Sequence, residues 1–347
     1  MINRLFRLLY STVFVNIVVQ KATTLVYVEE SFRKKVLRSE QKEFDTIVLS
    51  EDMKLFIEDA IKESPYYYIS FLDNSKGQGA LPVCSKKDAI FYKNIEADEL
   101  LCVDNTFATY SLRDDLYDIE KIYQEVGIDF IFSPFVILYN IFKDKINGDI
   151  ALFILLEEKE LSLSIFQNSK LLYAKYITID MEEENLLLEE EMESLDELDE
   201  DFGEGDTLEE LDNLDDLDSL DEIGEVEDLD SLDDLDSFDT SEDLEEELNS
   251  LETEEELASS ETNTEKSIDS FKEDYQRYIE IESAINQFYA DEKYESDFVE
   301  KVYIADSLGV SRDLKRYLEE ELFLSVYIRT INITLEVCKI AKMELQK

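Results

Sequence analysis

Between Lys175 and Lys266 the chain carries no basic residue, and those 90 positions hold 42 Asp and Glu. Like-charge repulsion adds to the entropy lost on ordering such a stretch. Its apolar residues are also spaced against packing. From Leu208 to Phe238 one falls at every third position: Leu208, Leu211, Leu214, Leu217, Leu220, Ile223, Val226, Leu229, Leu232, Leu235 and Phe238. Each step of three falls about 60° short of a helical turn, so these side chains wind around the cylinder without forming a face. A strand face needs period two and a coiled coil a mean of 3.5. Residues 181–266 therefore read as a solvated, disordered, acidic insertion. Two sharper readings stand beside that one. One is a series of Leu-Asp-x-Leu docking motifs. The other is weak divalent-cation binding, for which no Asp-x-Asp-x-Asp-Gly loop is present.

The rest of the chain has 44 acidic and 33 basic residues, so most of the net charge of −53 sits in the tract. A long surface insertion adds little to loop-closure free energy, so 1–180 and 267–347 can be parts of one domain. Histidine is absent, which removes His-activated nucleophiles, His acid–base chemistry and His metal sites. Cys84, Cys102 and Cys338 form no C-x-x-C pair and read as buried or free thiols of a reducing cytoplasm. No metal site and no cofactor are expected, and the net charge disfavours nucleic acid. Paired carboxylates are too common here to mark a catalytic site. Lys76-Gly77-Gln78-Gly79 is a lone glycine pair and reads as a turn. Arg33-Lys34-Lys35 with Arg38 is the densest basic cluster, and a plain exposed strand end explains it.

Leu5 to Val19 is mostly apolar after Arg4 and Arg7, the outline of a signal peptide or membrane anchor. The uninterrupted run is short for a span of about 20 residues, and it contains Asn16. It is also β-branched, as is Thr23 to Val28 after it. Two strands joined around Gln20-Lys21-Ala22 account for both runs. Strands are expected at 13–19, 23–29, 34–40, 66–72, 100–103, 150–156, 161–166, 171–179, 298–305 and 324–328. Helices are expected at 51–63 with Ser50 as N-cap, 118–125, 134–145, 271–289, 312–322 with Ser311 as N-cap, and 334–346.

Residues 13–40 and 150–179 share one layout of strand, tight turn, strand, strand. Lys301-Val302-Tyr303-Ile304-Ala305-Asp306-Ser307-Leu308-Gly309 is strand-to-loop before a helix. This duplicated unit with its late strand–loop–helix resembles the actin-like (ribonuclease H-like) α/β fold. More narrowly, it is similar to the cytoplasmic PilM and GspL-like proteins of type IV pilus and type II secretion machines. The resemblance implies an N-terminal part at 1–180 and a C-terminal part at 267–347. In that fold two Asp-x-Gly turns hold nucleotide phosphates and metal, and a Gly-Gly turn accepts the adenosine. The chain departs at each place. It has Val19 and Lys21 at the first turn, Leu155 and Glu157 at the second, and Ala305-Asp306 at the third. A carboxylate repels a triphosphate and a β-carbon obstructs it, so the turns are degenerate and no catalytic residue is expected.

The resemblance then implies a non-catalytic scaffold at the inner face of the inner membrane, peripheral to it. It would grip the cytoplasmic tail of a PilN-like bitopic protein between subdomains. A motor ATPase or a flagellar-motor ring component is the further partner it implies. An ATPase with unorthodox turns and an acidic protein acting through its tract are the competing expectations.

Overall fold

Two apolar strand–turn–strand runs each start a sheet in the computed structural model, which describes residues 10–33, 35–62, 64–94, 98–146, 148–179, 260–291, 298–309 and 312–346. The described residues of Met1–Met181 and Asp269–Lys347 form one compact unit. The acidic insertion's period-three series, its expected disorder up to residue 259, the Ser311 cap and Lys34 of the basic cluster lie outside the described residues; the insertion's last residues, 260–266, are helical rather than disordered, so the helix expected from 271 begins at Ser260.

Sheet 1 is built from β1 (Thr12–Val19), β2 (Thr24–Phe32), β3 (Lys35–Phe44), β4 (Tyr67–Leu72) and β8 (Phe130–Phe132), in the order β3-β2-β1-β4-β8. The first three are antiparallel, and β1–β4 and β4–β8 are parallel. Sheet 2 repeats this with β9 (Ala151–Leu156), β10 (Glu160–Gln167), β11 (Lys170–Thr178), β12 (Lys301–Asp306) and β13 (Ser325–Thr330), in the order β11-β10-β9-β12-β13. Its strand directions match those of sheet 1. Two sheets of identical order and direction are the duplicated ribonuclease H-like unit, so the fold is actin-like α/β. The apolar Thr12–Val19 run is a central strand, with Val13, Val15 and Ile17 buried, which favours the hairpin over an anchor for those residues.

Each sheet is covered on its outer face by its own helices. On sheet 1, α1 (Glu51–Ile61) and α3 (Arg113–Ile122) bring Met53, Ile57, Ile119 and Tyr123 onto Val13, Val15 and Ile17. Ser50 caps α1 by accepting the Met53 N–H at 3.3 Å. On sheet 2, α5 (Ser260–Ala290) and α6 (Arg312–Glu320) bring Ile281, Phe288, Leu314 and Leu318 onto Leu152 and Ile154. Between the sheets lie α4 (Pro134–Ile141), opened by Pro134 and apolar except for Asn140, and the last helix α7 (Ile333–Glu344). Phe135, Ile137, Val337 and Ile340 join Phe14, Val18 and Leu72 of sheet 1 to Phe153, Leu155 and Ala305 of sheet 2 in one core. Each of the Phe, Ile, Leu and Val side chains among them stabilises by about 1.5–3 kcal/mol relative to exposure. α7 also ties the chain's end to sheet 1 through the Lys342–Glu29 ion pair, in which Glu29 is buried.

Several expectations shift. The helix expected at 118–125 begins at Arg113, because Leu112 supplies no side-chain cap that would have marked its start. The segment 79–112 holds a small third sheet, β5-β7-β6, from β5 (Gly79–Leu81), β6 (Asp98–Val103) and β7 (Phe107–Leu112), with the one-turn α2 (Lys86–Ala89) between β5 and β6. The β6–β7 hairpin turns at Asp104 and Asn105, both in the left-handed region with φ of 48° and 58°. The glycines of Lys76-Gly77-Gln78-Gly79 serve this packing: a Cβ at Gly79 would meet the Tyr110 side chain, and one at Gly77 the Leu112 side chain.

The cysteine expectation is corrected. Cys84 and Cys102 form a disulfide, with Cα atoms 5.1 Å apart, and only Cys338 is a buried free thiol among the described residues. Pairing of β6 with β7 carries Cys102 back alongside the chain leaving β5, a proximity that linear spacing does not reveal. The basic cluster sits at the β2–β3 turn and on β3, an outer strand exposed over nearly its whole length, where Arg38 pairs with Glu40 at 2.5 Å.

Candidate functional site

The three turns singled out by sequence converge between the sheets. Val19 ends β1 half-buried, packed against the outer core of sheet 1. Beyond it Gln20 donates its backbone N–H to the Thr23 carbonyl at 2.8 Å, closing the β1–β2 turn and leaving Lys21 exposed at its tip. Leu155 is buried in β9 opposite Ser162 and Ala305. Glu157 starts the β9–β10 turn, its N–H donating to the Glu160 carbonyl at 3.0 Å. Ala305 is buried between Leu155 and Arg329, and Asp306 ends β12 at 1% exposure.

The turns engage each other rather than leaving a cradle. The Lys21 backbone N–H donates to Glu158 Oε2 at 3.1 Å, so a carboxylate of the second turn occupies a donor of the first. Ser307 donates its N–H and hydroxyl to the Leu156 carbonyl at 3.1 and 2.8 Å, joining the third loop to the second turn. Asp306 accepts from the backbone N–H groups of Leu308 and Gly309 at 2.8 and 3.0 Å, and Gly309 takes a φ of 79°. The Asp306 carboxylate thus organises its own loop.

Behind the second turn, Arg277 on α5 is buried, pairs with buried Asp274 at 3.0 Å, and donates to the Glu158 carbonyl at 3.4 Å. Sequence reasoning missed Glu158, one position beyond Glu157, and the Arg277–Asp274 pair. The only sequence signal was the polar stretch Glu157-Glu158-Lys159-Glu160 between two apolar strands.

Carboxyl groups crowd this junction. Burial, and secondarily Glu160, pushes Glu157 up to about 8. Burial also raises Glu160 and Asp73, and raises the Tyr176 phenol, with Glu160, Glu157 and Asp73 adding to the last. Desolvation of anions with few opposing cations is the common cause. Among the described residues, no group of three or more His, Cys, Asp or Glu is placed to hold a metal ion.

A second concavity, about 570 Å³, opens beside this junction. Leu100 to Val103 of β6 form one wall and Ile128 to Ser133, around β8, the other, with Leu116 and Glu120 of α3 and Glu344 of α7 also lining it. Both walls are outermost strands of their sheets, so each presents unpaired backbone groups. Among the described residues the lining has five carboxylates, Asp73, Glu99, Glu120, Asp129 and Glu344, and no Lys or Arg. Asp73 is buried, and accepts from the Ser111 hydroxyl at 2.7 Å and the Ser75 N–H at 2.9 Å. Gln78 donates to the Asp73 carbonyl at 2.8 Å and accepts from the Ser133 hydroxyl at 3.2 Å, so the groove floor is pinned. The Asp129 carboxylate accepts the Ile69 N–H at 2.8 Å, and Arg113 pairs with Glu99 at 2.8 Å from outside the lining. Sequence reasoning placed a strand at 100–103 and named Cys102 but gave no residue of this groove a binding role.

No curated protein matches the chain. Solved structures similar to it include the PilM-PilN type IV pilus biogenesis complex, at 10% identity over 91% of this chain and 87% of that one, with a TM-score of 0.48. Ethanolamine utilization protein EutJ from Carboxydothermus hydrogenoformans is 8% identical over 94% and 87%, with a TM-score of 0.41. A Bacteroides thetaiotaomicron protein with an actin-like ATPase fold and unknown function is 16% identical over 56% and 80%, with a TM-score of 0.33. Among protein families, residues 10–139, the sheet 1 half, match a domain of unknown function, DUF8569. Residues 152–228 and 219–346 match a second such domain, DUF8341, which together span more than half of the sequence. The chain therefore belongs to the family described as domain of unknown function DUF8341.

Proposed function

We propose that this chain is a non-catalytic, PilM-like actin-like scaffold of an envelope-spanning machine, holding the short cytoplasmic tail of a PilN-like bitopic inner-membrane protein in the β6–β8 groove. The groove carries the reading. Its two open strand edges suit an extended peptide, which gains affinity by adding a strand. Its carboxylates, with no Lys or Arg among the described lining residues, suit a basic one. Cytoplasmic segments next to membrane spans are enriched in Lys and Arg, so a juxtamembrane tail fits both demands. The scaffold would work at the inner face of the inner membrane. No described helix is long and apolar enough to cross a membrane, which is compatible with a peripheral role. A motor ATPase or flagellar-motor ring component would be the next partner along.

A photo-crosslinking residue in place of exposed Leu101 should link to the N-terminal tail of a bitopic membrane protein. Links only to soluble proteins would sink the proposal. Glu120→Lys reverses an exposed charge of the lining and should weaken tail binding about tenfold, with the loss shrinking as salt rises.

The competing reading is an ATPase with degenerate turns. The Glu158 contact on the Lys21 N–H favours the scaffold, because the donor a phosphate needs is already engaged. Calorimetry with Mg-ATP should give no heat and turnover should stay at background. Turnover above background that Glu158→Ala increases would reinstate the ATPase.

A further inference from the structure

We infer that the Cys84–Cys102 bridge is a redox-controlled fastener of the β6 wall, closed for tail binding and released by two-electron reduction. For its ligand this rests on the groove reading above; for its effect on β6 it does not. Among the described residues β6 pairs only with β7, and Glu99, Leu101 and Cys102 on it are exposed, so burial does little to hold it. The local core is correspondingly small, with Leu81 and Ala89 as its buried members and Val83, Tyr92, Leu100 and Tyr110 packed partly against them. The bridge supplies what packing does not. Ala108 of β7 faces Leu81 of β5 on one side and Cys102 of β6 on the other. The covalent link from the chain after β5 to Cys102 therefore clasps the two outer strands around the middle one.

Cys102 both lines the groove and is exposed, whereas Cys84 is half-buried. A reductant thus meets the bridge at the sulfur nearest the ligand. Disulfides in reducing compartments are mostly transient or redox-sensing, and this one has the accessibility such a role needs. Cys338 is buried, and burial holds its thiol near 11, so it is no internal nucleophile for exchange.

In the exchange a thiolate of a dithiol reductant attacks Cys102 Sγ, forming a mixed disulfide as the Sγ–Sγ bond breaks. Cys84 leaves as a thiolate and takes a proton. The reductant's second thiol, deprotonated, then attacks the mixed disulfide and frees Cys102, which is protonated in turn. Two electrons and two protons pass to the chain, and the reductant ends as a disulfide. Oxidation by a disulfide such as oxidised glutathione runs the same steps backward. If the freed wall is competent about one-tenth of the time, apparent affinity falls about tenfold.

The test uses the full chain, oxidised with glutathione disulfide or reduced with a thioredoxin-type dithiol, then alkylated. Non-reducing peptide mapping should find the 84–102 link in the first sample only. Hydrogen exchange of the 99–103 amides should be faster in the reduced sample. A labelled short peptide of alternating Lys and Leu should bind it about tenfold more weakly. The variant Cys84→Ser with Cys102→Ser should behave as reduced chain in both buffers. Absence of the link, or equal exchange of 99–103 in both states, overturns the fastener. Equal exchange with good peptide binding removes the fastener and leaves the groove reading standing. Altered exchange with no peptide binding in either state keeps the fastener and removes the groove reading.

Discussion

Arg277→Ala lowers the unfolding free energy by about 3–5 kcal/mol, the usual consequence of removing one partner from a buried ion pair. The Arg277 and Asp274 side chains are only 5% and 2% exposed and meet at 3.0 Å. Withdrawing the guanidinium leaves the Asp274 carboxylate in a low-dielectric site without the cation that faces it. The same side chain reaches Glu273 at 3.3 Å and the Glu158 carbonyl at 3.4 Å, so the loss extends to the β9–β10 turn. Urea unfolding should therefore report a large fall in midpoint. Hydrogen exchange at the Lys21 amide should rise, because the Glu158 carboxylate that accepts it is no longer steadied from behind. Replacing the pair together, Arg277→Met with Asp274→Leu, should recover most of the stability, since apolar groups of similar volume carry no desolvation penalty. It should not recover the Lys21 protection, which separates the role of the pair in packing from its role beneath the turn. A single-variant loss below about 1 kcal/mol would mean that solvent reaches the pair, as in surface ion pairs.

The duplicated sheets were legible because their strands are long and either apolar throughout, as at Ala151–Leu156, or half-buried and alternating. Of the small sheet only β6 was legible, as the strand expected at 100–103; β5 and β7 were not, nor was β8 of sheet 1. Gly79–Leu81 and Phe130–Phe132 span three residues each, too short to show a period, and their pairing is non-local. Phe107–Leu112 follows an Asp104-Asn105 turn whose left-handed geometry is a recognised hairpin signal, and that signal went unread. With β5 and β7 unseen, neither the groove nor the Cys84–Cys102 bridge could be inferred, as both depend on β6 lying beside β7. The three turns named from the sequence do touch one another, Lys21 N–H on Glu158 and Ser307 on the Leu156 carbonyl. Which carboxylate reaches across was set by the geometry of the β9–β10 turn, one residue past the position the sequence suggested. The Arg277–Asp274 pair is an i, i+3 contact on a highly charged helix, where sequence offers many equivalent pairs and burial selects one.

Glu157 makes the chain less stable as pH rises from about 4.5 to about 8, and Glu157→Gln flattens that slope. Burial raises the carboxyl from its ordinary 4.5 to about 8 in the folded chain, with Glu160 adding to the shift. Below 4.5 both folded and unfolded chains hold the proton, and the group has no effect. Between the two values the unfolded chain releases a proton that the fold retains, so the unfolded state gains. Above 8 both states are ionised and the penalty levels off. A shift of this size corresponds to a few kcal/mol at most, reduced here because Glu157 is only half-buried. Glu160 and Asp73 are raised as well, so the wild-type slope sums several groups. The difference between wild type and Glu157→Gln isolates one of them. Urea midpoints should coincide near pH 4 and diverge in favour of Gln by pH 8. Parallel curves would mean that Glu157 is ionised in the fold, and that the turn facing Lys21 carries a full extra charge at neutral pH. In the protonated state the turn presents Glu158 to the Lys21 N–H with less repulsion from its neighbour. The contact between the β1–β2 and β9–β10 turns is then firmest under mildly acidic to neutral conditions and loosens as Glu157 ionises.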